Sequence, residues 1–182
     1  MNDTVKKDPY TRYPLLHVLL YNGTTLAHFI LGGAGLYLSY ENSWLGTVLA
    51  LVYLVYAFGQ MVVVMPVRVC PNCPYYRMDD ARCISALNLL ARRIAPRGKP
   101  QNFRRRSKGP LCHNNQYFAA LLIQLPLMLI GVIINFSVAL LALLLIEIAL
   151  VLFRVFVLFM RVACPNCAAK QRCPNAEQLG IS

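Results

Sequence analysis

The sequence predicts an all-α integral membrane protein: a four-transmembrane-helix bundle built from two parallel hairpin repeats, with a cysteine-rich cytoplasmic loop and tail. Three observations carry this expectation. Hydrophobic residues make up 58% of the chain and charged residues 14%, and the apolar residues are gathered into blocks, as a bilayer solvent requires. The basic residues fall almost entirely between alternate blocks. A short cysteine motif recurs after the second block and again after the fourth.

Residues 1–13 form a polar N-terminal segment with no short apolar core and small-residue cleavage site, so no removable signal peptide is expected. The first hairpin, residues 14–67, holds spans over Leu15–Leu38 and Leu45–Val67, each close to the roughly 20 residues a crossing needs. Pro14 suits a first helical turn, where no N–H is required, and Pro66 suits a helix end. Residues 68–116 form a Cys- and Arg-rich loop. The second hairpin, residues 117–162, holds spans over Tyr117–Ile134 and Val138–Met160, and Pro126 should kink the first of them. Residues 163–182 are a Cys-rich tail.

Lys and Arg collect on the cytoplasmic side of short membrane loops. Lys6, Lys7 and Arg12 precede the first span, the loop Arg68 to Gln116 carries eleven basic residues, and the tail from Arg161 carries three. The opposite loops, Ser39 to Trp44 and Asn135 to Ser137, carry none. Both termini and the long loop are therefore expected in the cytoplasm. The net charge of +11 then reflects topology and not nucleic-acid binding. Tyr10, Tyr13, Tyr37, Tyr40, Trp44 and Tyr117 fit an interfacial aromatic belt.

The chain reads Arg68-Val-Cys70-Pro-Asn-Cys73 after span two and Arg161-Val-Ala-Cys164-Pro-Asn-Cys167 after span four. An Arg-Cys pair follows each, Arg82-Cys83 and Arg172-Cys173. Two copies of a hairpin ending in a cysteine arm, both starting and ending on one side, would be related by a pseudo-twofold axis along the membrane normal.

Cysteines tolerate apolar surroundings, yet none of the seven lies in a span. In a reducing compartment they favour metal or redox chemistry over disulfides. The candidate ligands are Cys70, Cys73, Cys83, Cys112, His113, Cys164, Cys167 and Cys173. A C-x2-C turn puts two thiolates on one cation, and two such turns facing each other give a sulfur site suited to zinc or to iron and iron–sulfur clusters. Two groupings are open. In one, Cys70, Cys73, Cys164 and Cys167 pin the halves together. In the other, Cys70, Cys73, Cys83 and Cys112 form a local site. Thiol–disulfide exchange and transient handling of a soft metal use the same residues.

Asp79 to Ala95 reads as a short amphipathic helix capped by Asp79 or Asp80, with Ile84, Leu87, Leu90, Ala91 and Ile94 on its apolar stripe. Arg92, Arg93, Arg97, Lys99, Arg104, Arg105, Arg106 and Lys108 then point to anionic lipid headgroups as the partner, in preference to nucleic acid.

Ionisable residues within spans usually face the bundle interior. Span one carries His17, Tyr21, Thr24, Thr25 and His28 on one face, continued by Gly32 and Gly35. Span four carries Glu147, Arg154 and Arg161 at steps of seven. His28 and Glu147 each lie about 21 Å from the cytoplasmic boundary at 1.5 Å per residue, so the two should approach. Arg154 should snorkel or meet Tyr21 and the His17 region. His28, Glu147 and Arg154 are thus candidates for a proton-coupled or quinone site, against a reading as helix-packing contacts. His17 and His28, about 16 Å apart along one helix, cannot share a haem iron.

No phosphate-cradling glycine loop, nucleophile triad or H-E-x-x-H pair occurs, so hydrolase and nucleotide-driven readings lack support. The function expected is a membrane-embedded, metal-binding redox or electron-transfer accessory protein, its cysteine site holding iron or an iron–sulfur cluster beside a quinone site. The alternatives are a zinc-stapled scaffold or anchor without catalysis, and a thiol-based carrier of soft metal. Each implies a protein partner or a homo-oligomer.

Overall fold

The computed structural model describes residues 9–41, 44–106, 113–173, 176 and 180, without the side chains of residues 104–106 and 113–115. Four helices are long and apolar enough to cross a membrane: Leu15–Ser39, Trp44–Asn72, Gln116–Ile134 and Val138–Ala163. Span one is a single helix, α1 (Leu15–Ser39). It packs on α2 (Trp44–Gly59), on α6 (Gln124–Ile134) and on α7 (Val138–Leu152). Phe29, Leu36, Met128 and Leu140 are fully buried between these helices, while Leu19, Val55, Ile133, Leu145 and Phe156 face outward. An apolar exterior around an apolar core is what a bilayer solvent calls for.

Glycines bring α1 and α6 together. A Cβ on Gly131 would stand 2.5 Å from Ser39 Oγ and 3.0 Å from Ser39 Cα, and one on Gly35 would stand 2.7 Å from Met128 Sδ. Such close backbone approach is the common use of small residues between membrane helices.

Two expectations about the spans, on Pro66 and on Arg161, need correction. Pro66 does not end span two, because the α-helix widens into a π-helix, Gln60–Val69, with Pro66 buried inside it. A proline ring clashes with the carbonyl four residues back, and the wider winding relieves that clash. Span three passes from α5 (His113–Leu122) to α6 through Ile123, which keeps helical dihedrals and donates its N–H to the Ala119 carbonyl at 2.9 Å. Pro126 supplies no N–H to the Leu122 carbonyl, so the helical ladder loses a bond there while the span continues. Span four also passes from α7 into a π-helix, Phe153–Ala163, although its sequence offers no proline to account for this. The wider turn moves the buried positions to Arg154, Leu158 and Ala163, so Arg161 leaves the Glu147–Arg154 stripe and is exposed.

The predicted helix from Asp79 is shorter. α3 runs over Leu87–Ile94, after Ala86 at φ 56°. Asp80 has φ 52°, a left-handed conformation that Asp tolerates and a helix does not, so neither aspartate is a cap. The face that α3 buries is Asn88 and Ala91, continued by Ala95. Leu89 and Ile94 are exposed instead. α4 (Gln101–Arg106) follows and sets Phe103 against Val69 and Ala169.

Candidate functional site

At one end of the bundle, spans two and four lead into matching turns. The N–H of Cys70 donates to Met65 and that of Cys164 to Phe159, both five residues back. Cys73 N–H donates to the Cys70 carbonyl at 3.0 Å, and Cys167 N–H to the Cys164 carbonyl at 3.2 Å. The asparagine inside each turn reaches back four residues, Asn72 to the Arg68 carbonyl and Asn166 to the Val162 carbonyl, both at 2.9 Å. Asn72 Oδ1 also accepts from the Lys99 N–H at 3.1 Å.

The N-terminal segment threads between the two arms. Tyr10 N–H donates to Asn166 O at 2.8 Å and Tyr13 N–H to Arg82 O at 2.9 Å. Arg82 returns two bonds to the Tyr13 carbonyl, at 3.1 and 2.7 Å. Tyr13 is buried and donates to the Ala163 carbonyl at 2.6 Å. Tyr75 is buried beside it, donating to Tyr10 O and accepting from Ala168 N–H. Asn88 holds the middle of the loop: its Oδ1 accepts from Cys83 N–H, and its amide donates to Ala81 O at 2.7 Å. Arg92, expected at a lipid headgroup, turns inward and donates to the carbonyls of Tyr75, Tyr76 and Met78. Arg93, Arg97 and Lys99 are exposed.

Within this framework Cys73, Cys83, Cys164, Cys167 and Cys173 line one cavity of about 160 Å³, together with Tyr13, Tyr75 and Phe159. Cys70 adjoins it near Cys83. The cavity thus draws thiols from both arms. These six cysteines are free and half-buried. Burial pushes the Cys73 thiol well above its ordinary range, Cys164 up to about 12 and Cys167 up to about 11, since a thiolate loses its hydration in the apolar lining. Among the described residues no three His, Cys, Asp or Glu side chains are close enough together to hold a metal ion. Cys112, Lys108 and the side chains of His113, Arg104, Arg105 and Arg106 lie outside the described residues.

Deeper in the bundle a second set of polar residues is buried. His28 Nδ1 pairs with Glu147 Oε2, and the two side chains are 3% and 0% exposed. Gln124 Nε2 lies 2.6 Å from His28 Nε2 and donates to Leu121 O at 3.0 Å. Arg154 does not snorkel. It is 3% exposed, donates to Thr25 Oγ1 and, at 2.6 Å, to the Tyr117 hydroxyl. Its guanidinium stacks on Tyr21 at 4.5 Å and Phe159 at 5.5 Å. Because Phe159 also lines the cysteine cavity, a continuous set of contacts runs from that cavity to Arg154.

Sequence reasoning missed Tyr53, Gln124, Asn88, Tyr75 and the threading segment. One signal was available for Gln124: Pro14-Leu-x-His17-x3-Tyr21 recurs as Pro110-Leu-x-His113-x3-Tyr117. In that register His28 falls opposite Gln124, Gly35 opposite Gly131 and Ser39 opposite Asn135. The structure puts His28 against Gln124, and Asn135 Nδ2 3.3 Å from Ser39 O. Comparison with known protein families, curated proteins and solved structures finds no match.

Proposed function

We propose that this chain is a membrane-embedded redox accessory protein whose cysteine cavity holds a soft metal centre, iron or an iron–sulfur cluster, at the cytoplasmic face. The observation that carries the reading is the single cavity of about 160 Å³ lined by five cysteines from both arms. Five cysteines line it, one more than a single tetrahedral ion takes. Buried thiols with raised pKa values are poor free nucleophiles, and a soft cation inside the cavity would supply the charge that makes thiolates stable there.

The zinc-stapled scaffold is the second reading. Against it stands the hydrogen bonding of Tyr13, Tyr75, Arg82, Asn88 and Arg92, which already joins loop, tail and N-terminal segment and leaves less for a staple to do. Orientation rests on the basic residues at the cysteine end. The recurring cysteine turns and the recurring Pro-Leu-x-His-x3-Tyr motif support two duplicated hairpins. Arg93, Arg97 and Lys99, exposed beside Leu89 and Ile94, would rest on anionic headgroups.

The test is anaerobic purification in mild detergent, with metal content and visible absorption measured on the same sample. Iron in at least stoichiometric amount, with a chromophore bleached by dithionite and lost in Cys73→Ser and Cys167→Ser, supports the reading. A colourless protein carrying stoichiometric zinc refutes it and favours the scaffold. Metal that a mild thiol competitor removes reversibly and stoichiometrically favours the soft-metal carrier.

A further inference from the structure

Each candidate span contributes one buried polar side chain to a single level of the bundle: His28 from α1, Tyr53 from α2, Gln124 from α6 and Glu147 from α7. Their exposures are 2%, 5%, 0% and 0%. Gly32 makes room for the crossing, since a Cβ there would stand 3.0 Å from both the Tyr53 hydroxyl and Gln124 Cγ. The Tyr53 phenol is near enough to Glu147 to feel its charge. Gln124 Nε2 is 3.5 Å from Glu147 Oε2.

The hydrogen bonding at this crossing is incomplete. The Tyr53 hydroxyl, Gln124 Oε1 and Glu147 Oε1 are buried and have no partner. Buried polar atoms are rarely left this way, and internal waters typically satisfy two to four of them. One water would complete the set, accepting from Tyr53 and donating to Gln124 Oε1 and Glu147 Oε1. The remaining carboxylate oxygen faces the imidazole. A carboxylate, an imidazole and a water in contact are three proton acceptors in a setting where net charge is costly.

We propose that His28, Tyr53, Gln124 and Glu147 form an intramembrane proton-binding site assembled on one ordered water. The inference stands on this geometry and does not depend on what the cysteine cavity holds. The charged and titratable groups facing the pair are Tyr53 from α2 and, about 10 Å towards the cysteine end, Arg154 with Tyr21 and Tyr117. Arg154 hinders a free proton on that side of the crossing without sealing it, since a fixed cation is an electrostatic barrier. On the other side Leu36, Met128 and Leu140 are packed with at most 1% exposure. The site therefore exchanges its proton with the cysteine end alone and forms no through-channel.

The test uses the full chain in phosphatidylcholine vesicles, with ¹³C on the glutamate carboxyls and isotope-edited infrared spectra between about pH 4 and pH 10, a range spanning ordinary Glu and His values. Signals from the other two glutamates, Glu41 and Glu177, are assigned with Glu41→Gln, at an exposed position, and Glu177→Gln. Expected is a Glu147 carboxyl that changes protonation within this range, exchanges with D2O and ignores sodium. Expected too is a nearby water band that shifts in H2¹⁸O. Tyr53→Phe removes the water's donor and should move the midpoint by about one unit. A Glu147 signal fixed in one protonation state across the range overturns the proposal. So does one displaced by sodium, which would make the occupant a cation. The wild-type readings decide the matter if Tyr53→Phe does not fold.

Discussion

Replacing Arg154 separates two accounts of why an arginine is tolerated inside the bundle. Its side chain is 3% exposed, with Thr25 Oγ1 and the Tyr117 hydroxyl as acceptors and the faces of Tyr21, Tyr117 and Phe159 around it. In Arg154→Lys the charge and its insertion cost of about 2.5–3.5 kcal/mol remain. A single ammonium cannot span both acceptors or stack as a plane. One charge-assisted hydrogen bond, about 1.5–3 kcal/mol, and part of a cation–π contribution of about 0.5–2 kcal/mol are lost, giving a net destabilisation of about 2–4 kcal/mol. Arg154→Met gives up both bonds and the stacking but removes the buried charge. Thr25 still donates to Tyr21 O at 2.7 Å, and the Tyr21 hydroxyl still reaches Tyr117, so no hydroxyl is orphaned. Buried ions replaced by apolar residues of similar volume are often neutral in stability, and a change within about 1 kcal/mol is expected. The assay is unfolding by SDS from mixed micelles, followed by tyrosine fluorescence, for the three proteins side by side. If Lys proves as stable as Arg while Met is severely destabilised, the charge itself holds the bundle and the argument from planar geometry fails.

The cavity thiols give a pH prediction. The Cys167 pKa lies about two units above its ordinary 9.0, so in metal-free protein its thiolate fraction at neutral pH is about 100-fold below that of an unfolded thiol, and its alkylation by iodoacetamide should slow accordingly. A pKa raised on folding means the folded form binds the proton more tightly, so this stabilisation is intact below about pH 9 and declines as pH rises towards about 11, which thermal melts across that range would register. Gly46→Ala would put a Cβ 2.7 Å from the carbonyl oxygens of Tyr37 and Tyr40, backbone atoms that cannot step aside, and should cost at least about 1–3 kcal/mol; Gly23→Ala, with nothing within 4 Å, should gain up to about 1 kcal/mol of helix propensity. Tyr75→Phe removes the bonds to Tyr10 O and Ala168 N–H, and limited trypsinolysis at Arg12 should accelerate by about fivefold or more if about 1 kcal/mol is lost; an unchanged rate would mean the segment is held elsewhere.

The spans were legible because hydropathy over twenty residues reports the solvent around a helix and needs no tertiary detail. The inward-facing Tyr21–Thr25–His28 face was legible for a related reason: polar residues in a span avoid lipid. Arg161 was not, because steps of seven assume α-helical winding and the π-helix at Phe153–Ala163 breaks that assumption. Arg92 was misassigned for a different cause. Among many arginines in one loop, composition cannot tell which guanidinium meets three inward-facing carbonyls and which meets lipid. The threading of residues 10–13 between two arms is a long-range pairing that no local pattern encodes.

If the chain is two duplicated hairpins, the identity of the buried polar residues follows from where the axis runs. Residues equivalent between halves face each other near a twofold axis, as His28 and Gln124 do at 2.6 Å. A symmetric pair there would set histidine against histidine. The equivalents of Glu147 and Arg154, counted from the cysteine turns, are Tyr53 and Gln60, so each ionisable group is present in one half only. Like charges brought together in a low-dielectric core repel strongly, whereas a neutral amide or phenol can bond to either protonation state of its neighbour. Divergence at these positions therefore removes the repulsion that symmetry would impose. It also leaves one carboxylate and one imidazole in contact, the asymmetry that a site binding a single proton requires.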